Sequence, residues 1–367
     1  MKPISLVIAG AANPHVPGYL RGMAQISDDV RLLAISEDDS GRLDASRAML
    51  RAQDVDVPGF GDFRRMLDCH PEATAILVGS DNAHHMPMYR EAFARGLHIY
   101  SMKVVTMLPE EMAELAELGR EHSTIFHVEL ELRYHPQFQK ARELVRTGKL
   151  GRIRAISLSN ISQSPICYFP NWGVPELSYG KRVPLTPGAS CFRGGALTDH
   201  PHPFDLIRWI TGSEFAEVTA FSSRNQRNYL EVEDHLVLTG RLRDGTSVMV
   251  NPSYSNLEER GPLRRLFWPK SLECNLKIFG DQGCYYADYF DHPVLVMGEN
   301  HASPNRLIVD GTPRLVRSDS MLQRFAHRVR GRAKSEEDAS LEDGLQAVKV
   351  MNAAYESLYR GMTAEVV

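Results

Sequence analysis

The sequence predicts an α/β protein in two parts: a doubly wound parallel sheet first, then an α+β domain with a large, mainly antiparallel open sheet. Three observations carry this. The chain has 367 residues, more than one hydrophobic core comfortably serves, so two domains are expected. Over the first 125 residues, short apolar runs alternate with amphipathic stretches, as strands and helices do in a parallel α/β sheet. From about residue 150 the segments lengthen and alternate between apolar and polar positions, with turn signals between them, as in antiparallel sheets. The expected domains are 1–125 and 126–367, with the C-terminal helix packing back on the first.

In order, Ser5–Ala9, Val30–Ile35, Ala75–Val78, His98–Tyr100 and Ile125–Val128 read as the parallel strands. Between the last two, Leu108, Met112, Leu115 and Leu118 recur at helical spacing and give a helix with one buried stripe. Ile153–Ser159, Val218–Phe221, His235–Leu242 and Leu276–Phe279 read as the later strands, punctuated by Arg243-Asp244-Gly245 and Gly280-Asp281-Gln282-Gly283. Residues 162–193 lack periodicity and are long enough to be a functional loop. A last helix over Leu341–Tyr359 carries Leu345, Val348, Met351, Tyr355 and Leu358 on one face.

Composition narrows the function. Lys+Arg 42 against Asp+Glu 46 gives a net charge of −4, with no basic run that would serve a phosphate backbone or an anionic membrane. Nucleic acid and membrane are not expected partners. The first apolar run is too short for a signal-peptide core, and no segment reaches the ~18 apolar residues of a membrane span. The five cysteines are scattered without a C-x-x-C pair, which fits a reduced, cytoplasmic protein.

Four places could carry chemistry. After the first strand comes Gly10-Ala11-Ala12-Asn13-Pro14-His15-Val16-Pro17-Gly18, where a dinucleotide-binding fold puts its pyrophosphate turn. Only the first glycine of G-x-G-x-x-G is present. Asn13 is expected as an N-cap and Pro14 as the first helical residue, leaving free N–H groups for an anion; Ala12 narrows the approach and His15 adds a donor. A plain strand-to-helix turn accounts for the same residues. The second strand ends in Ser36-Glu37-Asp38-Asp39, where Glu37 is placed to grip a ribose diol and favours NAD over NADP by repelling a 2′-phosphate. An exposed acidic turn is the bland alternative. Gly79-Ser80-Asp81-Asn82-Ala83-His84-His85 and Ser101-Met102-Lys103 follow the next two strands, at the edge where open α/β sheets bind ligands. Lastly, Gly194-Gly195-Ala196-Leu197-Thr198-Asp199-His200-Pro201-His202 runs on to Asp205 and Trp209 and sets two imidazoles between two carboxylates. An imidazole near neutral pH suits the proton of a carbinol being oxidised, an Asp can orient it, and an ammonium such as Lys103 can stabilise the alkoxide. Asp199, His200 and His202 also invite a metal reading, but no third cluster at ligand spacing stands out and no metal is expected. Histidines that merely cap a helix are the structural alternative.

Together these pieces resemble the glucose-fructose oxidoreductase, inositol dehydrogenase and MocA (Gfo/Idh/MocA) family over nearly the whole chain. Leu33–Glu37 looks like the family's second strand with its terminal acid, and Ser80–His85 like its T-P-N-x-x-H turn, with Asn82 and His85 on the matching positions. Gly96–Lys103 looks like G-K-H-V-x-x-E-K and puts Lys103 on the catalytic lysine. Arg133–Pro136, Gly148–Ile153 and Gly194–Trp209 resemble later landmarks, the last being the motif that holds the catalytic Asp and His. Val232-Glu233-Asp234, Ile278–Gly280 and Leu341–Leu345 complete the series.

Three departures stand out. Two glycines are missing from the phosphate turn. The E-K-P tripeptide is Met102-Lys103-Val104, which keeps the lysine and loses the Glu and the Pro. Asp199 to His202 is one residue shorter than the family spacing, so His202 aligns as the base when counted from Asp205 and His200 is its rival.

The resemblance implies an N-terminal Rossmann domain that binds NAD, with NADP the alternative, and a C-terminal domain whose sheet forms a homodimer or homotetramer. It implies an oxidoreductase acting on a secondary hydroxyl of a sugar, polyol or glycoside. Lys103, His202, Asp199 and His200 would be catalytic, and Gly10, Ala12, Asn13, Pro14, His15, Glu37, Ser80, Asn82, His85 and Lys103 would line the cofactor. Asn160, Tyr168, Trp172 and Arg193 are expected substrate contacts from position alone. Two other readings stay open: an NAD-dependent glycoside-cleaving enzyme working through transient oxidation, and a non-catalytic dinucleotide-binding regulator.

Overall fold

A computed structural model describes residues 2–162, 195–225, 232–254, 273–289 and 318–367, and the backbone of short strands at 183–184, 192–193, 294–297 and 305–308. The chain forms two compact units: Met1–Glu131 with Val316–Leu345, and Leu132–Leu315 with Gln346–Val367.

The first unit holds strands β1 (Ile4–Ala9), β2 (Val30–Ser36), β3 (Gly59–Phe60), β4 (Ala75–Val78), β5 (His98–Ser101) and β6 (Phe126–Val128). They make one parallel sheet in the order β3-β2-β1-β4-β5-β6. The strands are parallel and covered on both faces, so they read as unbroken apolar runs: all four residues of β4 are buried. The sequence reading ends the first part at residue 125, but β6 pairs with β5 through Ile99–Phe126 and Ser101–Val128, which carries the unit on to Glu131. Helices α1 (Val16–Arg21), α2 (Ser40–Arg51), α3 (Phe63–Cys69), α4 (His85–Ala94) and α5 (Pro109–Glu121) connect the strands. In α5 the expected apolar stripe is present, with Leu115 fully buried on it. The order reverses beside β1, between β2 and β4, so the carboxyl ends of β1 and β4 open the crevice where such sheets bind ligands.

The second unit holds helices α6 (Pro136–Arg146), α7 (Ala196–Asp199) and α8 (His202–Thr211). Its long strands are β7 (Ile153–Ser162), β10 (Phe215–Ser222), β11 (Leu236–Leu242), β12 (Ser247–Tyr254), β13 (Glu273–Gly280) and β14 (Gly283–Asp288). The short ones are β8 (Val183–Pro184), β9 (Phe192–Arg193), β15 (Val294–Met297), β16 (Asn305–Ile308) and β17 (Ala364–Glu365). Nine of them form a sheet in the order β16-β15-β14-β13-β7-β12-β11-β10-β17. Every pair is antiparallel except β7 with β12. Alternation is clear in β7, β12 and β13, where Ile156 and Leu158, Val248 and Val250, and Leu276 and Ile278 point into the core. The other face leaves Phe221 and Met249 exposed.

Under α8 lies a buried ion pair that the sequence does not announce. Arg133 donates to both carboxylate oxygens of Asp205 at 2.8 and 2.5 Å, and the Arg142 guanidinium sits 4.4 Å from the Trp209 ring centroid. Fixing Asp205 from a neighbouring element sets the orientation of α8 and therefore of His202 at its start. No helix among the described residues is long and apolar enough to cross a membrane.

Candidate active site

The turn after β1 is built differently from the sequence expectation. Gly10 takes φ +83°, donates its N–H to Ser36 O, and lies so close to β4 that a Cβ on it would fall 2.6 Å from Ser80 N and Cα. Only glycine fits there. Asn13 was expected to cap a helix opening at Pro14; instead its Oδ1 accepts the His15 N–H, and α1 starts at Val16 with His15 at the cap. The competing local turn wins because Asn readily binds the N–H two residues on. The expected row of free N–H groups is also corrected. Ala11 donates to Glu37 Oε2, Asn13 to Gly79 O and Val16 to Asn13 O, which leaves the Ala12 N–H without a partner among the described residues.

Glu37 ends β2 as expected, but it is not an open acid. Its Oε1 accepts from Arg42 at 2.8 Å and from the Asp39 N–H at 3.1 Å, and its Oε2 accepts from Ala11 at 2.7 Å. Burial, and then the hydrogen-bonded Asp38 carboxyl, raise its pKa against the pull of Arg42. Glu37 nevertheless lines a pocket of about 370 Å³ with Gly10, Ala12, Arg42, Ser80 and His84. Three donors leave part of a carboxylate's acceptor capacity for a hydroxyl, and the Ala12 N–H stands beside it. These residues fit the adenosine side of a dinucleotide.

Around the next turn, Ser80 and Asn82 are buried, and Ser80 Oγ donates to Asp81 O. His85, expected to touch the cofactor, has no exposed surface. Its Nδ1 lies 2.9 Å from Val104 O and its Nε2 3.2 Å from Ser80 O, and burial lowers its pKa, so the neutral ring packs between the two ligand-edge turns and donates to one of these carbonyls. That is a supporting role rather than a contact. Lys103 is half-buried, Met102 and Val104 are buried on either side, and the Lys103–Val104 peptide is cis.

The sequence reading missed what stands near Lys103. Glu129 and Glu131 follow β6, at the same carboxyl edge. The His15 imidazole donates to Glu129 at 2.9 Å, and Tyr19 OH donates to the same carboxylate at 2.7 Å while touching Tyr100 OH at 2.8 Å. One polar atom each of His15, Glu129 and Glu131 lies within 4.8 Å of the others. Burial disfavours the His15 cation, but the Glu129 charge and hydrogen bond outweigh it and lift its pKa to about 9. Burial and the Glu129 charge push Glu131 up to about 7, with His15 and Lys103 pulling the other way. The usable signal was two carboxylates in Glu129-Leu130-Glu131 directly after a parallel strand.

In the second unit, α7 and α8 carry Asp199, His200 and His202. Asp199 is half-buried; His200 and His202 are buried. His200 Nδ1 lies 2.6 Å from Ala196 O, so this ring is tied to its own helix, and its edge meets Tyr254. His202 opens α8. A second group missed from sequence clamps α7: Ala196 N–H donates to Glu233 O, Leu197 N–H and Tyr355 OH donate to Glu233 Oε1 at 3.0 Å, and Tyr355 OH meets Thr198 Oγ1 at 2.8 Å. Burial pushes the Glu233 carboxyl up to about 7. Gly195 is required here, because a Cβ would lie 2.4 Å from Glu233 O. Of the expected substrate contacts, Asn160 lies on β7, its side-chain oxygen buried and without a partner among the described residues. Arg193 lies on β9, its side chain outside the described residues, as are Tyr168 and Trp172.

Comparison with known proteins gives two family matches. Residues 4–130 match the GFO/IDH/MocA oxidoreductase family, NAD-binding Rossmann fold, and residues 138–286 match the GFO/IDH/MocA C-terminal domain. The uncharacterized oxidoreductase YrbE of Bacillus subtilis is 24% identical over 316 residues, covering 83% of this chain and 81% of the relative. Myo-inositol 2-dehydrogenase of Thermotoga maritima is 22% identical over 337 residues, 90% of each chain. The structure of scyllo-inositol dehydrogenase from Lactobacillus casei, with bound NAD(H) and scyllo-inositol, superposes with a TM-score of 0.72 at 20% identity, over 100% of this chain and 99% of that one. At that identity the likeness is one of fold.

Proposed function

This chain belongs to the GFO/IDH/MocA oxidoreductases, with an NAD-binding Rossmann unit at its N-terminus, and from that premise we propose that it oxidises or forms a secondary hydroxyl of a sugar, polyol or glycoside. The observation that carries the reading is the polar cluster at the carboxyl edge of the parallel sheet, where such sheets bind ligands. Lys103, Glu129 and Glu131 follow neighbouring strands at the carboxyl edge of the parallel sheet, and in the second unit Asp199, His200 and His202 sit on two short helices held by Glu233 and Asp205. When bound, NAD supplies the hydride acceptor. The chain's own residues handle the rest. His202 takes the hydroxyl proton as the carbinol oxygen develops charge, Asp199 orients it, and the Lys103 ammonium stabilises the alkoxide. Of the two imidazoles, His202 is favoured because it opens α8, one turn before the Asp205 that Arg133 fixes. Glu37 favours NAD over NADP, since a 2′-phosphate would meet its carboxylate and Asp38. The open sheet, with Phe221 and Met249 exposed, is the surface for a homodimer or homotetramer.

The test is absorbance at 340 nm with NAD and NADP in separate wells against polyols, aldoses and glycosides. Reduced NAD should appear with one substrate class, and Lys103→Ala and His202→Ala should each lower kcat by about 10²–10⁴-fold. A flat signal from protein that binds NAD tightly refutes the net dehydrogenase and favours transient oxidation in glycoside cleavage. Failure to bind any dinucleotide refutes both.

A further inference from the structure

We propose that the His135 imidazole and Asn160 Oδ1 form a substrate-binding site in the second unit, which reads uncharged hydroxyls of the sugar or polyol away from the one that is oxidised. The inference rests on the reading of the chain as a hydroxyl oxidoreductase and narrows the substrate class.

The fold buries two polar side chains and leaves them unused. His135 stands at the cap of α6 and is 1% exposed, yet neither its Nδ1 nor its Nε2 has a hydrogen-bond partner among the described residues. Aromatic contacts hold the ring, its centroid 4.5 Å from that of Tyr289 and 5.4 Å from that of Phe138. Asn160 Oδ1, on β7, is likewise buried without a partner. Native folds pair nearly all such atoms, because a buried donor or acceptor has lost its hydration and gains nothing until another polar group meets it.

Strand register sets the two residues along one line. Asn160 continues the buried alternation of Ile156 and Leu158, and pairs with Pro252 of β12 on one side and Cys274 of β13 on the other. The Cys274 carbonyl accepts the Tyr289 N–H at 2.9 Å just past β14, and Tyr289 carries the His135 ring. Two strand spacings, about 10 Å, therefore separate Asn160 from Tyr289 along the sheet. In the other direction Tyr254 lies two residues past Pro252 on β12, and its ring centroid is 5.7 Å from that of His200. Helix α7, which carries Asp199, packs on the same strand. Asn160 thus stands between the side of the sheet that supports the catalytic candidates and the side that supports His135. A polyol with its reacting carbinol at α7 and α8 turns its other hydroxyls toward Asn160 and His135.

The chemistry of the pair selects the ligand. Burial lowers the His135 pKa to about 4, so near neutral pH the ring is uncharged, with one nitrogen donating and the other accepting. Asn160 Oδ1 adds an acceptor. A hydroxyl donates and accepts, so it satisfies this set; an ionised carboxylate only accepts, and neither residue offers it a cation. His135 touches no reacting atom in this scheme; it binds and orients the substrate.

The experiment reads the His135 ring directly. The full chain, labelled with ¹⁵N-histidine and saturated with NADH so that no hydride can leave the substrate, is titrated with the polyols, aldoses and glycosides of the 340 nm panel, myo-inositol and D-glucose among them, and with D-glucuronate. The His135 ring nitrogens are assigned by their loss in His135→Phe, which keeps an aromatic ring against Tyr289. At least one uncharged compound should move both nitrogens, and D-glucuronate should move neither. His135→Phe and Asn160→Leu should each weaken binding of that compound about tenfold or more, and in turnover should raise KM more than they lower kcat.

An unchanged dissociation constant in folded His135→Phe overturns the proposal, because the ring then holds no more than a buried water. So does D-glucuronate that binds as tightly as the uncharged compound, or a wild type in which no compound moves the His135 signals. If His135→Phe fails to fold, the wild-type shifts and Asn160→Leu decide. The two readings fail separately: a compound that reduces NAD but leaves the His135 signals in place overturns this site alone, whereas one that moves them without net reduction of NAD overturns the dehydrogenase and leaves the site standing.

Discussion

Gly10→Ala tests the construction of the cofactor edge at its tightest point. Gly10 has φ +83°, and the left-handed region costs a residue with a Cβ about 1–2 kcal/mol. The added carbon would sit 2.6 Å from Ser80 N and Cα and 2.8 Å from Ser80 Cβ, where van der Waals contact begins near ~3.5 Å. Two of these three atoms are backbone, so no rotamer change relieves the overlap and the turns after β1 and β4 must part. Overpacking of this kind costs about 1–3 kcal/mol, for a total of about 2–5 kcal/mol. For a domain of this size that lowers the melting temperature by about 5–15 °C. Parting the turns also displaces Ser80 and the Ala12 N–H from the pocket they line with Glu37. NAD affinity, read by fluorescence titration at a temperature where the variant remains folded, should fall at least tenfold. Ser80→Gly should not rescue the variant, because it leaves both backbone contacts in place. A Gly10→Ala protein that melts within about 1 °C of the wild type, a shift worth well under 1 kcal/mol, and binds NAD equally well would refute the reasoning. Rescue by Ser80→Gly would show that the side chain, not the backbone, sets the limit.

Three other outcomes follow from contacts in the structure. Asp205→Ala strands the buried Arg133 guanidinium, so urea unfolding of the second unit should lose about 3–5 kcal/mol; a Arg133→Met/Asp205→Leu double variant should recover much of it, and a loss under 1 kcal/mol counts against a buried pair. The His15–Glu129 pair raises the folded pKa of His15 from 6.5 to about 9. Its stabilisation, roughly 3 kcal/mol at most, is therefore fully present below pH 6.5 and is lost as pH climbs through about 9; Glu129→Gln should flatten that slope in unfolding measured across the window. Glu37→Gln removes the charge that engages Arg42, Ala11 and Asp39. NAD should bind about tenfold more weakly and the preference over NADP should narrow, whereas an unchanged ratio of the two dissociation constants would remove Glu37 from cofactor choice.

The sequence showed the fold class because both sheets write periodicities that physics forces on them. A parallel strand covered on both faces, such as Ala75–Val78, must be apolar throughout, and a strand covered on one face, such as Glu273–Gly280, must alternate. Positions fixed by strand ends were legible for the same reason: Gly10, Glu37, Ser80 and Lys103 each follow a parallel strand at its carboxyl end. What could not be read locally were outcomes of competition between contacts far apart in the chain. Asn13 looks like a helix cap, but its side chain closes on His15 N–H while its own N–H is taken by Gly79. His85 looks like a ligand contact by motif, but its ring is fully buried between the Val104 and Ser80 carbonyls.

By itself, then, the sequence determined the order of elements, the two-sheet α/β architecture and the strand ends around the crevice, because hydrophobic periodicity and turn chemistry are local properties. Only the tertiary structure decided which polar groups meet. His15 and Glu129 are 114 residues apart, Thr198 and Tyr355 157, and Arg133 and Asp205 72. Such pairs leave no periodic trace, since a buried charge needs a partner of opposite sign but is indifferent to where in the chain that partner lies.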